Sequence, residues 1–554
     1  MKPIWLEHYP AGVPHTVDAG QIASLAALID ESLHKFKDRP AYHFMGKSLS
    51  FGQVDELARA FAAYLQSQGL VKGDRVAVMM PNVPQYPVAV VAILRAGLVL
   101  VNVNPLYTPR ELQHQLQDSG AKLIVILENF AATLEACLDA VPAKKIVLAS
   151  LGDLLGVKGR LVNLVVRHVK KMVPAFDLPG AVRFNDAIAR GRRSAFRAPT
   201  LGPGDIALLQ YTGGTTGVSK GAVLTHRNVI ANVLQCEAWN APAMARVTSG
   251  EQATTVCALP LYHIFAFTVN MMLSLRTGGA TVLIPNPRDL PALFKELAGH
   301  RFHTFPAVST LFNAMANHPQ FGSVDWSHLV LSVGGGMAVT TATAKLWKQK
   351  TGSTICEGYG LSETSPVATG NPVTATEFSA TVGLPLPSTE LMLLDDEGHE
   401  VAPGLAGEIA IRGPQVMAGY WQRPDETAKF MTAEGYFRTG DIGTVDARGY
   451  FKIIDRKKDM ILVSGFNVYP SEIDDVVGQM AGILECAAIG VPDEHSGEAV
   501  KLVIVRKDAS VSEADVRAYS DANLTGYKRP RVIEFRSELP KTPVGKILRR
   551  ALRK

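Results

Sequence analysis

Cysteine is scarce in this chain. Five residues, Cys137, Cys236, Cys257, Cys356 and Cys486, are scattered through 554. No C-x-x-C pair exists, which argues against a zinc site or a dithiol redox motif, and the odd count points to reduced thiols. Strong charge is missing too: the net charge is +5 and charged residues make up 19%, too mild a bias to predict a nucleic-acid partner. Long apolar runs are absent. The most apolar stretch, from Val88 to Val101, is broken by Arg95 and Gly97 and is too short to span a bilayer. The first twenty residues lack a long apolar segment of the signal-peptide kind, so a cytoplasmic location is expected. There is no fixed-period repeat and no low-complexity tract. What remains, at 47% hydrophobic, is a globular chain of roughly three or four domain-sized units.

The stretch from Tyr211 to Gly221, YTGGTTGVSKG, stands out. Gly213, Gly214 and Gly217 allow positive φ and close approach of a ligand to the backbone. Exposed N–H groups on such a loop form a concavity for anionic oxygens. Thr212, Thr215, Thr216 and Ser219 add hydroxyls, and Lys220 adds a cation. The set suits a polyphosphate, although a Gly/Thr-rich surface loop has the same composition. It is not a Walker A loop, because Ser219 precedes the lysine and Gly221 follows it. Residues 206–211 read as a buried strand before it, and Thr225-His226-Arg227-Asn228 reads as the N-cap of a helix after it.

Strand and helix signals alternate upstream. Residues 75–79, 98–102 and 123–127 read as strands, with helices over 86–96 and 109–119 between them. This order predicts a mostly parallel, doubly wound α/β sheet. The pattern resumes from Thr254, with strands over 258–262, 281–284, 329–333 and 354–356. After Gly383 the texture turns β-rich, with strands over 391–394, 407–412 and 450–454. Residues 455–459, DRKKD, form a charged break that reads as a linker. The last hundred residues alternate again, as a small α+β unit.

From Leu155 to Val173 the chain carries Lys158, Arg160, Arg167, Lys170 and Lys171 and no acid. At 100° per residue, Arg160, Asn163, Arg167, Lys170 and Lys171 gather on one side, opposite Leu161, Val162, Val165, Val169, Met172 and Val173. Such a basic amphipathic helix can rest on an anionic membrane interface. An apolar stripe is more often packed on a core, and the leading expectation is a surface helix docked by its valine face.

Four further motifs follow the glycine-rich loop: Tyr359-Gly360-Leu361-Ser362-Glu363-Thr364, Thr439-Gly440-Asp441, residues 455–459, and Pro543-Val544-Gly545-Lys546. Each alone is weak. In this order and spacing, the chain resembles the acyl-adenylate-forming enzymes over essentially its whole length. Residues 102–112 (NVNPLYTPREL), 259–265 (LPLYHIF) and 459–470 (DMILVSGFNVYP) look most like the bacterial long-chain fatty acyl-CoA synthetases of that superfamily.

The resemblance implies an organisation: an AMP-binding domain over 1–454, with a β-rich subdomain from about 383, a hinge at 455–460, and a small mobile domain over 461–554 that carries the adenylation lysine. It implies ATP-dependent activation of a long-chain fatty acid to acyl-AMP and then to acyl-CoA. ATP, CoA and the fatty acid are the partners and Mg2+ the cofactor. Residues 212–220 would hold phosphates. Thr215 and Glu363 match the metal ligands, with oxygen donors suited to a hard ion. Gly335, Gly336, Glu357, Gly358, Tyr359 and Thr364 match the nucleotide pocket, Asp441 the ribose contact and Arg456 a ribose or phosphate contact. Lys546, Glu363 and His263 match the catalytic set, with His263 near the carboxylate end of the acid. Asp455 and Lys458 match the hinge, and Ser464, Gly465 and Phe466 the loop that faces CoA.

Residues 262–267 (YHIFAF) contain no acid to pair an α-amine, which argues against an amino-acid substrate. Open alternatives are a CoA ligase for an aryl or medium-chain acid, an acyl-AMP ligase serving a carrier protein, and a non-catalytic lipid-binding module. The polyphosphate set disfavours the last. A homodimer and a peripheral contact with the inner face of the membrane are compatible with the sequence.

Overall fold

The computed structural model describes residues 3–212, 219–464, 466–493, 495–542 and 545–553. The predicted β-α alternation is present. Arg75–Met79 lies centrally in an eight-stranded sheet, parallel to both Val99–Asn102 and Leu123–Leu127. Lys145–Ala149 and Val182–Arg183 extend the parallel run on one side, and Ile206–Thr212 on the other. The strands are near-continuous runs of Val, Ile and Leu because both faces are covered. One cover, the helix Gln85–Arg95, has every residue buried. Its Arg95 guanidinium is paired with Asp30 and Asp55 at 2.5 and 2.7 Å.

A nine-stranded sheet follows, with a parallel centre built from Ala280–Leu283, Thr254–Cys257, Thr304–Ala307, Leu331–Gly334 and Ile355–Gly360. The strand end expected over 258–262 comes slightly earlier, at Cys257, and a loop follows. The β-rich texture after Gly383 becomes a four-stranded antiparallel sheet of Glu390–Leu394, Gly407–Arg412, Phe437–Val445 and Phe451–Arg456. The C-terminal unit is a five-stranded sheet with its own apolar core of Ile461, Ile473, Leu502 and Ile504.

Three local expectations are corrected. A strand that was not expected, Lys220–Thr225, antiparallel to Ile206–Thr212, stands between the glycine-rich stretch and the helix expected after it. The helix His226–Met244 starts after it, capped by Thr225 and Asn228. The charged break at 455–459 is partly strand, because Asp455 and Arg456 continue the antiparallel ladder opposite Ile442 and Asp441.

The third concerns the basic helix, which runs Val157–Leu164 and continues with a wider turn over Val165–Val169. It docks by only part of its valine face: Val162, Val165 and Val173 are half-buried, with Val162 packed on the main core and Val166 buried beside them, but Leu161, Val169 and Met172 are exposed. The side that packs inward carries Asn163 and Arg167. A buried carboxylate, Glu128, draws the Arg167 guanidinium in through two charge-assisted hydrogen bonds.

Candidate functional site

Parallel strands of an open sheet gather loops at their carboxyl ends, and ligands bind there. Here a cleft of about 2820 Å³ opens at the ends of strands from both large sheets and runs beneath the C-terminal unit. Thr212, Lys220, His263, Gly335, Gly336, Glu357, Gly358, Tyr359, Glu363, Asp441, Asp455, Arg456, Lys458 and Lys546 all line it. Residues hundreds of positions apart in sequence therefore share one cavity.

The loop before His263 is fixed from the first sheet. Asn82, buried, donates to the carbonyls of Cys257 and Leu259 at 2.9 and 2.8 Å and accepts from the Leu261 N–H at 2.8 Å. His263 then caps the next helix: its Nδ1 accepts the Phe265 N–H at 3.3 Å. A backbone amide can only donate, so the ring proton of neutral His263 sits on Nε2. Burial, with Lys546 nearby, pulls the His263 pKa down to about 4. His263 is thus a neutral donor at physiological pH and not a general base.

The cleft wall at Gly335 and Gly336 is close-packed backbone. A Cβ at Gly335 would lie 2.9 Å from the Phe265 ring, and Gly336 has φ +79, so both positions favour glycine. The Glu357 carboxyl accepts the Val339 N–H at 3.2 Å, and burial pushes its pKa up to about 8. Its side chain props the 339 loop. Tyr359 donates its hydroxyl to Asp441 at 2.6 Å, and Arg456 Nε stands 3.2 Å from the other oxygen of that carboxylate. The ring of Tyr359 is thereby held at one tilt on the cleft wall. Thr364 is not in the cleft; it is buried, and its hydroxyl accepts the Leu361 N–H.

Glu363 sits in a short turn after the Tyr359 strand, buried, with its backbone carbonyl bound by the Met417 N–H at 2.7 Å. Tyr420 donates to its carboxylate at 2.8 Å. Burial raises the Glu363 pKa despite that bond. A buried carboxylate facing a cleft fits a divalent cation that completes its shell with water and phosphate oxygens. Thr215, the other expected ligand, lies outside the described residues, as do Gly213, Gly214, Thr216, Gly217 and Gly465.

Lys220 is not free. Its ammonium pairs with Glu426 and lies over the Tyr420 and Phe430 rings at 5.4 and 5.5 Å. Tyr420 and Glu426 were not anticipated; the signal was Gly419-Tyr420-Trp421, a glycine followed by two aromatics.

The C-terminal unit reaches the cleft through Gly545 and Lys546. The Thr310 hydroxyl donates to the Gly545 carbonyl at 3.2 Å. Burial, then the nearby Arg456, lower the Lys546 pKa to about 8, while Asp441 opposes the shift. Lys458 is likewise pulled to about 8, by burial first and Arg456 second. Ser464 and Phe466 stay outside the cleft, with Phe466 stacked on Tyr527 at 4.7 Å.

Two family models match, that of the AMP-binding enzymes over residues 29–421 and that of the AMP-binding enzyme C-terminal domain over 472–546. The chain belongs to the AMP-binding enzyme family. Within that family it is 52% identical to a long-chain-fatty-acid–CoA ligase of Escherichia coli O157:H7, over 100% of this chain and 98% of the relative. It is 48% identical to the ligase of that name from Haemophilus influenzae, with the same coverage. Among solved structures, ATP-bound MatB from Rhodopseudomonas palustris superposes with a TM-score of 0.78 at 30% identity, covering 95% of this chain and 98% of that one. The α/β architecture, with a large N-terminal region and a smaller C-terminal one, is that of the family.

Proposed function

We propose that this AMP-binding enzyme joins long-chain fatty acids to CoA through an acyl-adenylate. The observation that carries the reading is Lys546, delivered by the C-terminal unit into a cleft beside Asp441, Arg456 and His263. Near-full-length likeness to long-chain ligases supports the acid class. So does the apolar side of the cleft, lined by Trp239, Phe265, Val269, Val308 and Val333. Each buried CH2 stabilises by about 0.8 kcal/mol, so ten methylenes give several kcal/mol of capture.

In the first step a carboxylate oxygen attacks the α-phosphorus of ATP. A P–O bond forms, the bond to the β-phosphate breaks, and pyrophosphate leaves. Negative charge builds on phosphate oxygens, where positioned cations and donors lower the barrier. Lys546 and the His263 Nε2–H are the donors at the reacting carboxylate and phosphate. Asp441 accepts from ribose hydroxyls, Tyr359 stacks on the base, and residues 212–220 hold the departing phosphates. Glu363 would hold Mg2+, which when bound supplies charge neutralisation for the polyphosphate. In the second step the CoA sulfur forms a C–S bond, the acyl–phosphate C–O bond breaks, and AMP leaves. Asp455 and Lys458 lie where the C-terminal unit pivots, so that Lys546 withdraws and the Ser464–Phe466 side turns inward.

The test is ATP–pyrophosphate exchange driven by palmitate, then CoA-ester formation across acids from acetate to oleate. Exchange with palmitate followed by palmitoyl-CoA is expected. Exchange without thioester would replace the reading with an acyl-AMP ligase, and preference for an aryl acid would move the substrate class.

A further inference from the structure

The helix Pro470–Gly478 of the C-terminal unit begins without a cap of its own. Tyr469, at the N-cap position, makes no side-chain bond to the first turn, and the start of any helix leaves N–H groups without intrahelical partners. One of these groups is answered from the other side of the hinge. Asp455 Oδ2 accepts the Ser471 N–H at 2.8 Å, while its Oδ1 accepts the Arg456 N–H at 2.7 Å. The carboxylate is buried, where a charge is costly unless it is bonded.

Asp455 is rooted in the large region. Its backbone pairs with Ile442 in the antiparallel ladder. Beyond it, the Lys457 N–H still bonds the Gly440 carbonyl at 3.0 Å, and the Lys457 ammonium meets Asp396 at 2.6 Å. The anchored chain thus extends through Lys457, one residue short of the proposed pivot. Ser471 lies past that pivot, and so does Arg549. The Arg549 guanidinium bonds Asp474 at 2.5 Å and the Ala488 carbonyl at 3.2 Å, and the Asp455 charge acts on it as well. The Asp455 carboxylate therefore faces a helix N-terminus, which favours negative charge, and a cation. Both belong to the C-terminal unit, and the carboxylate does not.

We propose that Asp455 is a positioning residue for adenylation: its carboxylate caps the Ser471 helix only while Lys546 is seated in the cleft, and so holds the C-terminal unit in that orientation. In this role it acts through the placement of Lys546 and not on a reacting atom. Rotation about Lys458 carries the Ser471 N–H away and returns the carboxylate to water, so the bond favours the first half-reaction over the second. The consequence for catalysis rests on the two-step reading given above. The latch itself does not.

Two measurements test it, one of them free of catalysis. Lys507 donates to Asn317 in the seated form, so dyes on the exposed positions of Q320C and A509C are close when the unit is seated and part when it turns. The native cysteines are buried and stay unlabelled. Single-molecule energy transfer then reads the ratio of seated to turned protein. Asp455→Ala should lower that ratio about tenfold, the scale of one lost helix cap with its charge. Asp455→Asn, which keeps an oxygen for the Ser471 N–H, should recover part of the loss. Without dyes, the rate of palmitate-driven ATP–pyrophosphate exchange divided by the rate of CoA-ester formation from preformed palmitoyl-AMP should fall by a similar factor in Asp455→Ala. A seated-to-turned ratio that Asp455→Ala leaves unchanged would overturn the proposal. So would an equal loss in both half-reactions, the mark of a merely weakened helix. A shifted ratio in a protein that makes no acyl-AMP from any acid would sink the ligase reading and leave the latch standing.

Discussion

Lys546 lies in an environment that its position near the chain end does not suggest. Ordinarily an exposed lysine near a chain end keeps its proton to high pH. Here burial and the Arg456 cation bring its pKa to about 8. The charged form, present below that value, is the one that stabilises the phosphate oxygens. Adenylation by the free enzyme, measured as pyrophosphate release without CoA, should therefore fall as pH rises through about 8. Arg456→Gln should shift that limb to higher pH, since it removes a repelling cation and frees Asp441. A limb that stays in place would assign it to another group. Lys546→Ala should slow adenylation on the order of 10²–10³-fold, the scale of one lost electrostatic donor. Thioester formation from preformed acyl-AMP should persist, and equal loss in both half-reactions would refute the assignment.

Elements differ in how plainly the sequence announces them. The strands around Arg75–Met79 were legible because parallel strands covered on both faces read as unbroken Val, Ile and Leu. The helix Pro109–Ser119 was legible from the proline at its start, and the structure adds the capping box of Thr108 and Glu111. The strand Lys220–Thr225 was hidden, since glycine and threonine are the residues of loops as well as of hairpin flanks. A helical wheel separates two faces of residues 155–173 but does not say which one turns inward. Glu128, distant in sequence and buried, decides that. Asp455 and Arg456 read as a charged linker because their ladder partners, Ile442 and Asp441, lie on another strand. The candidate residues Glu363 and Lys546 were found through motifs, whereas Tyr420 was signalled only by a glycine followed by two aromatics, and the contact of Glu426 with Lys220 joins positions 206 apart. The turn after Arg456 carries a further prediction. Lys458→Pro, which fixes φ at the proposed pivot, should spare acyl-AMP formation and depress transfer to CoA. If both fell together, a swinging C-terminal unit would lose its support.

At the scale of the whole molecule, the C-terminal unit is seated with Lys546 in the cleft. Among the described residues, Thr310 on Gly545 and Lys507 donating to Asn317 at 2.9 Å join it there. Polar contacts of this kind are compatible with the rotation proposed between the half-reactions. The geometry allows the seat to be locked. A Cβ at residue 545 would lie 3.0 Å from the Thr310 hydroxyl oxygen, the position a cysteine sulfur would take, and the described free cysteines are buried. The pair T310C/G545C should therefore close a disulfide, against the strain of a non-glycine residue at φ +84, about 1–2 kcal/mol. Compared with its own reduced form, the oxidised protein should keep acyl-AMP formation and lose thioester formation, with reductant restoring it. Thioester formation unaffected by oxidation, with the disulfide verified by mass, would show that one arrangement serves both steps.

The ion pair between Lys220 and Glu426 has a consequence for how nucleotide and protein compete. Lys220 borders the phosphate loop, and its partner carboxylate is held well below the usual carboxylate range by that lysine. On the proposed phosphate role of Lys220, Glu426, which also pairs with Lys429, competes with a polyphosphate for that lysine. Glu426→Gln should lower the KM for ATP and slow release of pyrophosphate, since both depend on how readily the lysine lets go of one anion for another. Titration of ATP at saturating fatty acid would read the first effect, and the rate of pyrophosphate appearance in single turnover the second.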